Sequence, residues 1–300
     1  MALGAIVLAG CRTAALRTKA APQTDDEMVV AGQRFHTGTR VIIWTDPAGY
    51  NAYQPGPPRA YGLRQFASLP GKSEREPVRS GLAALQECVD QFVLHYDGCG
   101  LSRICFDLLQ RRALSVHFLL DVDGTVYQTL DLQERALHAT TANDRSIGIE
   151  IANIGAYPPG ETKALDEWYQ NDAQGQTGLK VPQEVGDPGS HTKNFTGRPA
   201  RPALVRGVVQ GKDLVQYDYT PEQYAALIRL TAALCRVFPR IKGDCPRDAS
   251  GRLVLQKLPD DKLAKYEGIL GHFHIQTNKD DPGPAFQWEK LIAGLRQLTK

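Results

Sequence analysis

Apolar and polar positions alternate most clearly along Ile147-Gly148-Ile149-Glu150-Ile151. That two-residue period predicts a β-strand with its isoleucines on one face and Glu150 on the other. Phe92-Val93-Leu94 is a short unbroken apolar run that ends at His95, and it reads as a buried strand. Val116 to Leu120 and Thr125 to Leu130 predict two more strands, joined at Asp123-Gly124, a strong hairpin signal. Val41-Ile42-Ile43-Trp44 is a further strand candidate.

The period turns helical elsewhere. Thr220-Pro221-Glu222-Gln223 is a capping box with proline at the first helical position. Tyr224, Leu227, Ile228, Leu234 and Phe238 then form an apolar stripe that Pro239 ends. Phe286, Trp288, Leu291, Ile292 and Leu295 mark a terminal helix, and Ser102 reads as the cap of a helix over 103–112. Residues 82–88 are a short approach segment. Strands interleaved with helices predict a mixed α/β fold, with a central sheet flanked by helices.

Less regular chain surrounds this core. Residues 157–219 are rich in Pro, Gly, Gln, Asp and Lys, and read as an insertion. Residues 28–81 read as an N-terminal extension packed on the core domain, which is expected to span 82–300.

Composition narrows the picture only slightly. Three hundred residues suffice for one good core plus insertions. A hydrophobic fraction of 42%, a charged fraction of 23% and a net charge of +2 describe a globular chain with no sign of a nucleic-acid partner. A monomer is expected. The first ten residues are apolar, too few to span a bilayer, and read as the core of a targeting segment. Leu8-Ala9-Gly10-Cys11 resembles the bacterial lipobox, in which the cysteine carries the lipid. No basic residues precede it, which points to a start upstream. Residues 1–27 are therefore expected to be a lipoprotein-type signal and tether, with a lipid anchor at Cys11. Arg12 in the next position favours the outer membrane, so the expected location is periplasmic, or secreted if there is no anchor. Five other cysteines remain, an odd number. Cys99 with Cys105 and Cys235 with Cys245 are the short-loop pairs the spacing allows, and sequence does not fix that connectivity.

The chemistry concentrates between Gly271 and Pro284. His272, His274, Lys279, Asp280 and Asp281 fall within ten positions and stop on Pro282-Gly283-Pro284. So many charges with so little core suggest a metal. A catalytic zinc site takes three N/O ligands and leaves a position for water. His95, at a strand end, would supply the third ligand to His272 and Asp281. His274 rivals His272, and Asp280 rivals Asp281. His117 and His138 could line a cleft or satisfy local carbonyls. A glutamate among isoleucines is costly to bury without compensation, so Glu150 is a candidate general base. Lys279 could steady a developing oxyanion.

These motifs together resemble the zinc-dependent N-acetylmuramoyl-L-alanine amidases of type 2, the family shared by AmiD and AmpD proteins, phage T7 lysozyme and peptidoglycan recognition proteins. Phe92 to Tyr96 resembles the strand with the first zinc histidine. Ser115 to Phe118 and Asp121 to Gln128 resemble the central hairpin. Leu137-His138-Ala139 resembles a Trp-His-Ala segment, with leucine for tryptophan. Asn143 to Glu150 resembles the strand of the catalytic glutamate. Gly271-His272 and Asp281-Pro282-Gly283-Pro284 resemble the remaining ligand segments, which favours His272 and Asp281 over their rivals. The resemblance implies zinc on His95, His272 and Asp281, catalysis by Glu150 and Lys279, and a peptidoglycan or muropeptide substrate cut between N-acetylmuramic acid and L-alanine. The Cys99–Cys105 spacing is similar to the short disulfide of the recognition proteins. Two departures bear on cleft shape: the loop from His272 to Asp281 is about one residue shorter than usual, and the segment from Glu150 to His272 is much longer. A non-catalytic peptidoglycan-binding module and a zinc amide hydrolase for another peptide are the competing expectations.

Overall fold

The computed structural model describes residues 25–54, 60–65, 81–187 and 189–298. The lipobox pattern and Cys11 lie outside them. Among the described residues no helix is long and apolar enough to cross a membrane.

The chain opens with hairpin β1 (Glu27–Val30) and β2 (Gln33–His36), then β3 (Val41–Ile43) and the short β4 (Tyr61–Leu63). Helix α1 (Leu82–Cys88) leads into β5 (Gln91–Tyr96), and α2 (Ser102–Arg111) leads into β6 (Phe118–Leu120) and β7 (Val126–Gln128). Next come β8 (Glu134–Ala136), which pairs with β4, and β9 (Ser146–Ile151). Helix α3 (Lys163–Trp168) and two hairpins, β10 (Tyr169–Asn171) with β11 (Thr177–Leu179) and β12 (Val205–Val209) with β13 (Lys212–Gln216), fill the expected insertion. The chain ends with α4 (Pro221–Val237), the single-turn α5 (Asp260–Leu263), β14 (Gly268–Gly271) and α6 (Trp288–Leu298).

One six-stranded sheet organises the molecule, in the order β14-β5-β9-β6-β7-β3. Only the β6–β7 pair is antiparallel, so the sheet is mixed. Period-two alternation divides its side chains between two faces. Phe92, Leu94, Phe118, Leu120, Ile147, Ile149 and Ile151 pack against α4 and α6 in the main core. Burying each such side chain is worth roughly 1.5–3 kcal/mol, which makes this face the main source of stability. The opposite face carries Leu119 and Tyr127 against Cys105 and Leu109 of α2, and also His95 and Glu150.

Local signals explain the helix ends. The Thr220 hydroxyl accepts from the Gln223 amide, and the Gln223 side chain accepts from the Thr220 amide, with Pro221 at the first position. Ser102 differs from expectation. It is the first helical residue, not the cap, and Leu101 stands at the cap without a side-chain bond. The Asp121 carboxylate, from the β6–β7 turn, instead accepts from the Ser102 amide at 3.3 Å.

The core also begins earlier than residue 82. Met28, Val29, Val30, Val41 and Ile43 belong to the main core, and β3 is the edge strand beside β7. Neither expected cysteine pair is bonded: Cys88, Cys99, Cys105, Cys235 and Cys245 are all free thiols.

Candidate active site

Parallel pairing builds the site. β14, β5 and β9 run in the same direction, so their C-terminal ends bring His272, His95 and Glu150 to one edge. His95 and Glu150 are register partners on adjacent strands, a spacing of about 4.8 Å between strands. Asp281 arrives on the loop that follows the 3-10 turn at His272–His274. These side chains, with Asp97, His138 and Lys279, line a cavity of about 290 Å³.

His95 Nδ1 lies 2.8 Å from Asp281 Oδ2, and His272 Nδ1 lies 3.0 Å from the same oxygen. The two Nδ1 atoms are 3.0 Å apart. All three residues are buried. Among the described residues this is the one group of three whose donor atoms converge tightly enough to hold a metal.

The outer nitrogens show that the group fits a cation. His272 Nε2 lies 2.6 Å from Gln276 Oε1, an oxygen that can only accept. In the neutral form that ligates a metal, this ring would carry its proton on Nε2 and turn a bare Nδ1 inward. His95 Nε2 faces His138 Nδ1 at 3.0 Å, and His138 Nε2 faces Ser146 Oγ at 3.3 Å. With the Nε2 proton given to His138, the His95 Nδ1 is bare as well. Two inward lone pairs and a carboxylate oxygen make a two-nitrogen, one-oxygen donor set of the kind zinc takes.

Burial, followed by the neighbouring His272, lowers the His95 pKa to about 4, so the ring is neutral at pH 7. Burial alone would raise Asp281, but its two imidazole neighbours, His272 foremost, outweigh it and hold the carboxyl well below its usual range. Glu150 is pushed the other way. Burial, then the charges of Asp281 and Asp97, raises it well above an ordinary glutamate, while Lys279 acts in the opposite direction.

The rival residues are used elsewhere. His274 accepts from the Gly271 amide at Nδ1 and donates from Nε2 to the Val254 carbonyl. Asp280 pairs with Lys212 at 3.1 Å. His117 accepts from the Gly148 amide, and its Nε2 faces the Glu134 carbonyl at 3.0 Å. His36 is exposed and pairs with Asp26. His191 lines a separate cavity with Leu101, Val122, Leu179 and Phe195.

Sequence reasoning missed three supports. Gln276 lies four residues after His272, a separation at which one turn of chain brings side chains together. Arg64 is fully buried and donates to the carbonyls of Leu132, Asn143, Asp144 and Ser146, so it fixes the chain just ahead of β9. Its guanidinium also lies 3.0 Å from His117 Nε2. No local pattern announces an arginine of that kind. Gly148 leaves room for His138: a Cβ there would lie 2.5 Å from the imidazole.

Among solved structures, the chain is similar to AmpD, seen as a selenomethionine derivative, at 18% identity and a TM-score of 0.37, over 84% of this chain and 96% of that one. It is similar to the amidase AmiD from E. coli, in complex with anhydro-N-acetylmuramic acid-L-Ala-D-gamma-Glu-L-Lys, at 19% identity and a TM-score of 0.41, over 75% and 65%. The endolysin amidase LysCS from Clostridium intestinale URNW gives 15% identity and a TM-score of 0.36, over 71% and 86%. No curated protein matches the sequence. The family model for N-acetylmuramoyl-L-alanine amidase, Amidase_2, matches residues 85–284, a stretch that holds His95, Glu150, His272 and Asp281 together, and by that match the chain belongs to this amidase family.

Proposed function

We propose that the protein hydrolyses the amide bond between the lactyl group of N-acetylmuramic acid and L-alanine, in peptidoglycan or its fragments, with zinc held by His95, His272 and Asp281. The observation that carries this reading is the convergence of two Nδ1 atoms and one carboxylate oxygen within 3.0 Å beside Glu150. A bound zinc ion supplies Lewis acidity and brings the pKa of a coordinated water toward neutrality.

The chain's own groups supply the rest. Glu150 takes the proton of the attacking water and returns it to the departing amine of L-alanine. Burial suits it to that exchange, because a raised pKa brings proton acceptance and release closer to neutral pH. Lys279 lines the same cavity and offers its ammonium to the oxyanion that forms on the attacked carbonyl. Asp281 stays ionised and His95 stays neutral, the protonation states a metal needs of these two ligands.

The test is release of L-alanine-bearing peptides from purified peptidoglycan, read as new N-terminal amines. Release that stops with a chelator and returns with zinc supports the proposal. A chain that takes up zinc and holds muropeptides without releasing peptide would be a binding module instead.

Gly148→Ala tests the support behind His95. The added methyl drives into the His138 ring, displaces the acceptor of His95 Nε2 and overpacks the site, a change that costs about 1–3 kcal/mol. Zinc affinity is expected to fall by about 10–100-fold, as when other outer-shell partners are lost. Chelator competition measures it, and an unchanged affinity would remove His138 from this role.

A further inference from the structure

We propose that hairpin β12–β13 is the frame that holds the two ligand-bearing turns in register, with Gln216 as a positioning residue that ties together the segments of Asp281, Glu150 and His95. This rests on the zinc reading above. Neither strand contributes a side chain to the catalytic cavity; the hairpin acts from behind.

Gln216 is fully buried and uses both ends of its carboxamide. Nε2 donates to the Pro282 carbonyl at 3.2 Å and to Asn153 Oδ1 at 3.1 Å. Oε1 accepts from the Ala285 amide at 3.0 Å. Pro282 and Ala285 belong to the loop that delivers Asp281. Asn153 lies three residues beyond Glu150, and its backbone amide donates to Asp97 Oδ1 at 3.0 Å. Asp97 lies two residues beyond His95. The carboxamide thus bonds the Asp281 loop and Asn153 directly, and Asn153 carries the link on to Asp97. Gly283 records how closely they fit, since a Cβ there would lie 2.2 Å from Gln216 Oε1.

The hairpin's other end holds the other turn. Gln210 and Gly211 form its two-residue tip, both with positive φ, as a type I′ turn requires. Gln210 Nε2 donates at 2.8 Å to the carbonyls of both Phe273 and Gln276. Gln276 is the residue whose side chain fixes the tautomer of His272. Between the two ends, Lys212 pairs with Asp280. The frame therefore sets where His272 and Asp281 sit relative to each other.

Glutamine suits position 216 for a chemical reason. Glutamate would set a buried carboxylate against Pro282 O and Asn153 Oδ1, two acceptors with no donor between them. Methionine keeps the length and removes the bonds. Methionine leaves Pro282 O with the Tyr219 hydroxyl at 2.7 Å and Asn153 Oδ1 with the Gly155 amide at 2.9 Å, but it strips the buried Ala285 amide of its acceptor, so a lowered melting temperature is expected.

The experiment is zinc affinity of the full chain, by competition with a chromogenic chelator, at a temperature where thermal melts show each variant folded. Gln216→Met and Gln210→Ala should each weaken zinc by about 10–100-fold, and Gln216→Glu at least as much. Arg206→Ala, which breaks only the exposed Arg206–Asp213 pair of the same hairpin, should leave zinc affinity unchanged. Wild-type affinity in Gln216→Met, even with a lowered melting temperature, would make Gln216 a packing residue and overturn the inference. If that variant does not fold, wild-type affinity in Gln210→Ala overturns the frame. A wild-type chain that takes up no zinc is a different result: it defeats the metal reading itself, and the inference with it.

Discussion

Glu150→Gln is expected to keep zinc uptake at the wild-type level and to lower kcat by about 10²–10⁴-fold. Glutamine matches glutamate in size and keeps an oxygen, but it cannot take a proton from water. The metal-capable cluster does not include this residue, so the ion should stay. Stability should hold or rise. Burial disfavours the ionised glutamate, and a neutral amide avoids that cost. A variant that is dead, loaded with zinc and no less stable would show a carboxylate kept for chemistry at the expense of stability. Turnover within tenfold of wild type would remove Glu150 as the general base. Loss of zinc would make it a ligand.

The position of Glu150 was legible because β9 alternates strictly, and a two-residue period fixes the face of each residue. The capping box of α4 and the Asp123-Gly124 turn were legible for the same reason: each is a local pattern with a local cause. The convergence of His95, His272 and Asp281 is not local. Spacing could nominate the three, but only the parallel pairing of β14, β5 and β9 brings their ends to one place. The outer partners were not legible. Nothing near Gln216, Gln210 or Arg64 distinguishes them from surface residues, because their roles exist only through carbonyls more than 60 residues away. Hairpin β12–β13 did leave a signal. Gln210-Gly211 between Val208-Val209 and Leu214-Val215 is a two-residue turn between apolar runs, and the Pro- and Gly-rich surroundings hid it. β3 was recognisable as a strand but not as a sheet edge, since three apolar residues say nothing about their neighbour.

Asp281→Asn should have the opposite signature to Glu150→Gln: zinc is lost first, and activity falls because zinc is gone. The carboxylate is the only anionic donor of the three, and its oxygen lies within 3.0 Å of both Nδ1 atoms. An amide leaves the charge of a divalent ion less compensated in a buried site. The loss in zinc affinity should therefore exceed the about 10–100-fold typical of an outer-shell change. Melting curves provide a second reading. A ligand that binds only the folded chain stabilises it by about 2.7 kcal/mol at a concentration 100 times its Kd. Zinc should raise the melting temperature of the wild type and of Glu150→Gln, and should not raise that of Asp281→Asn at the same concentration. An equal zinc-induced shift in all three would place the ion elsewhere. Only a pattern that separates the two carboxylates, one in metal retention and the other in turnover, assigns a distinct job to each of two acidic groups that share a single cavity.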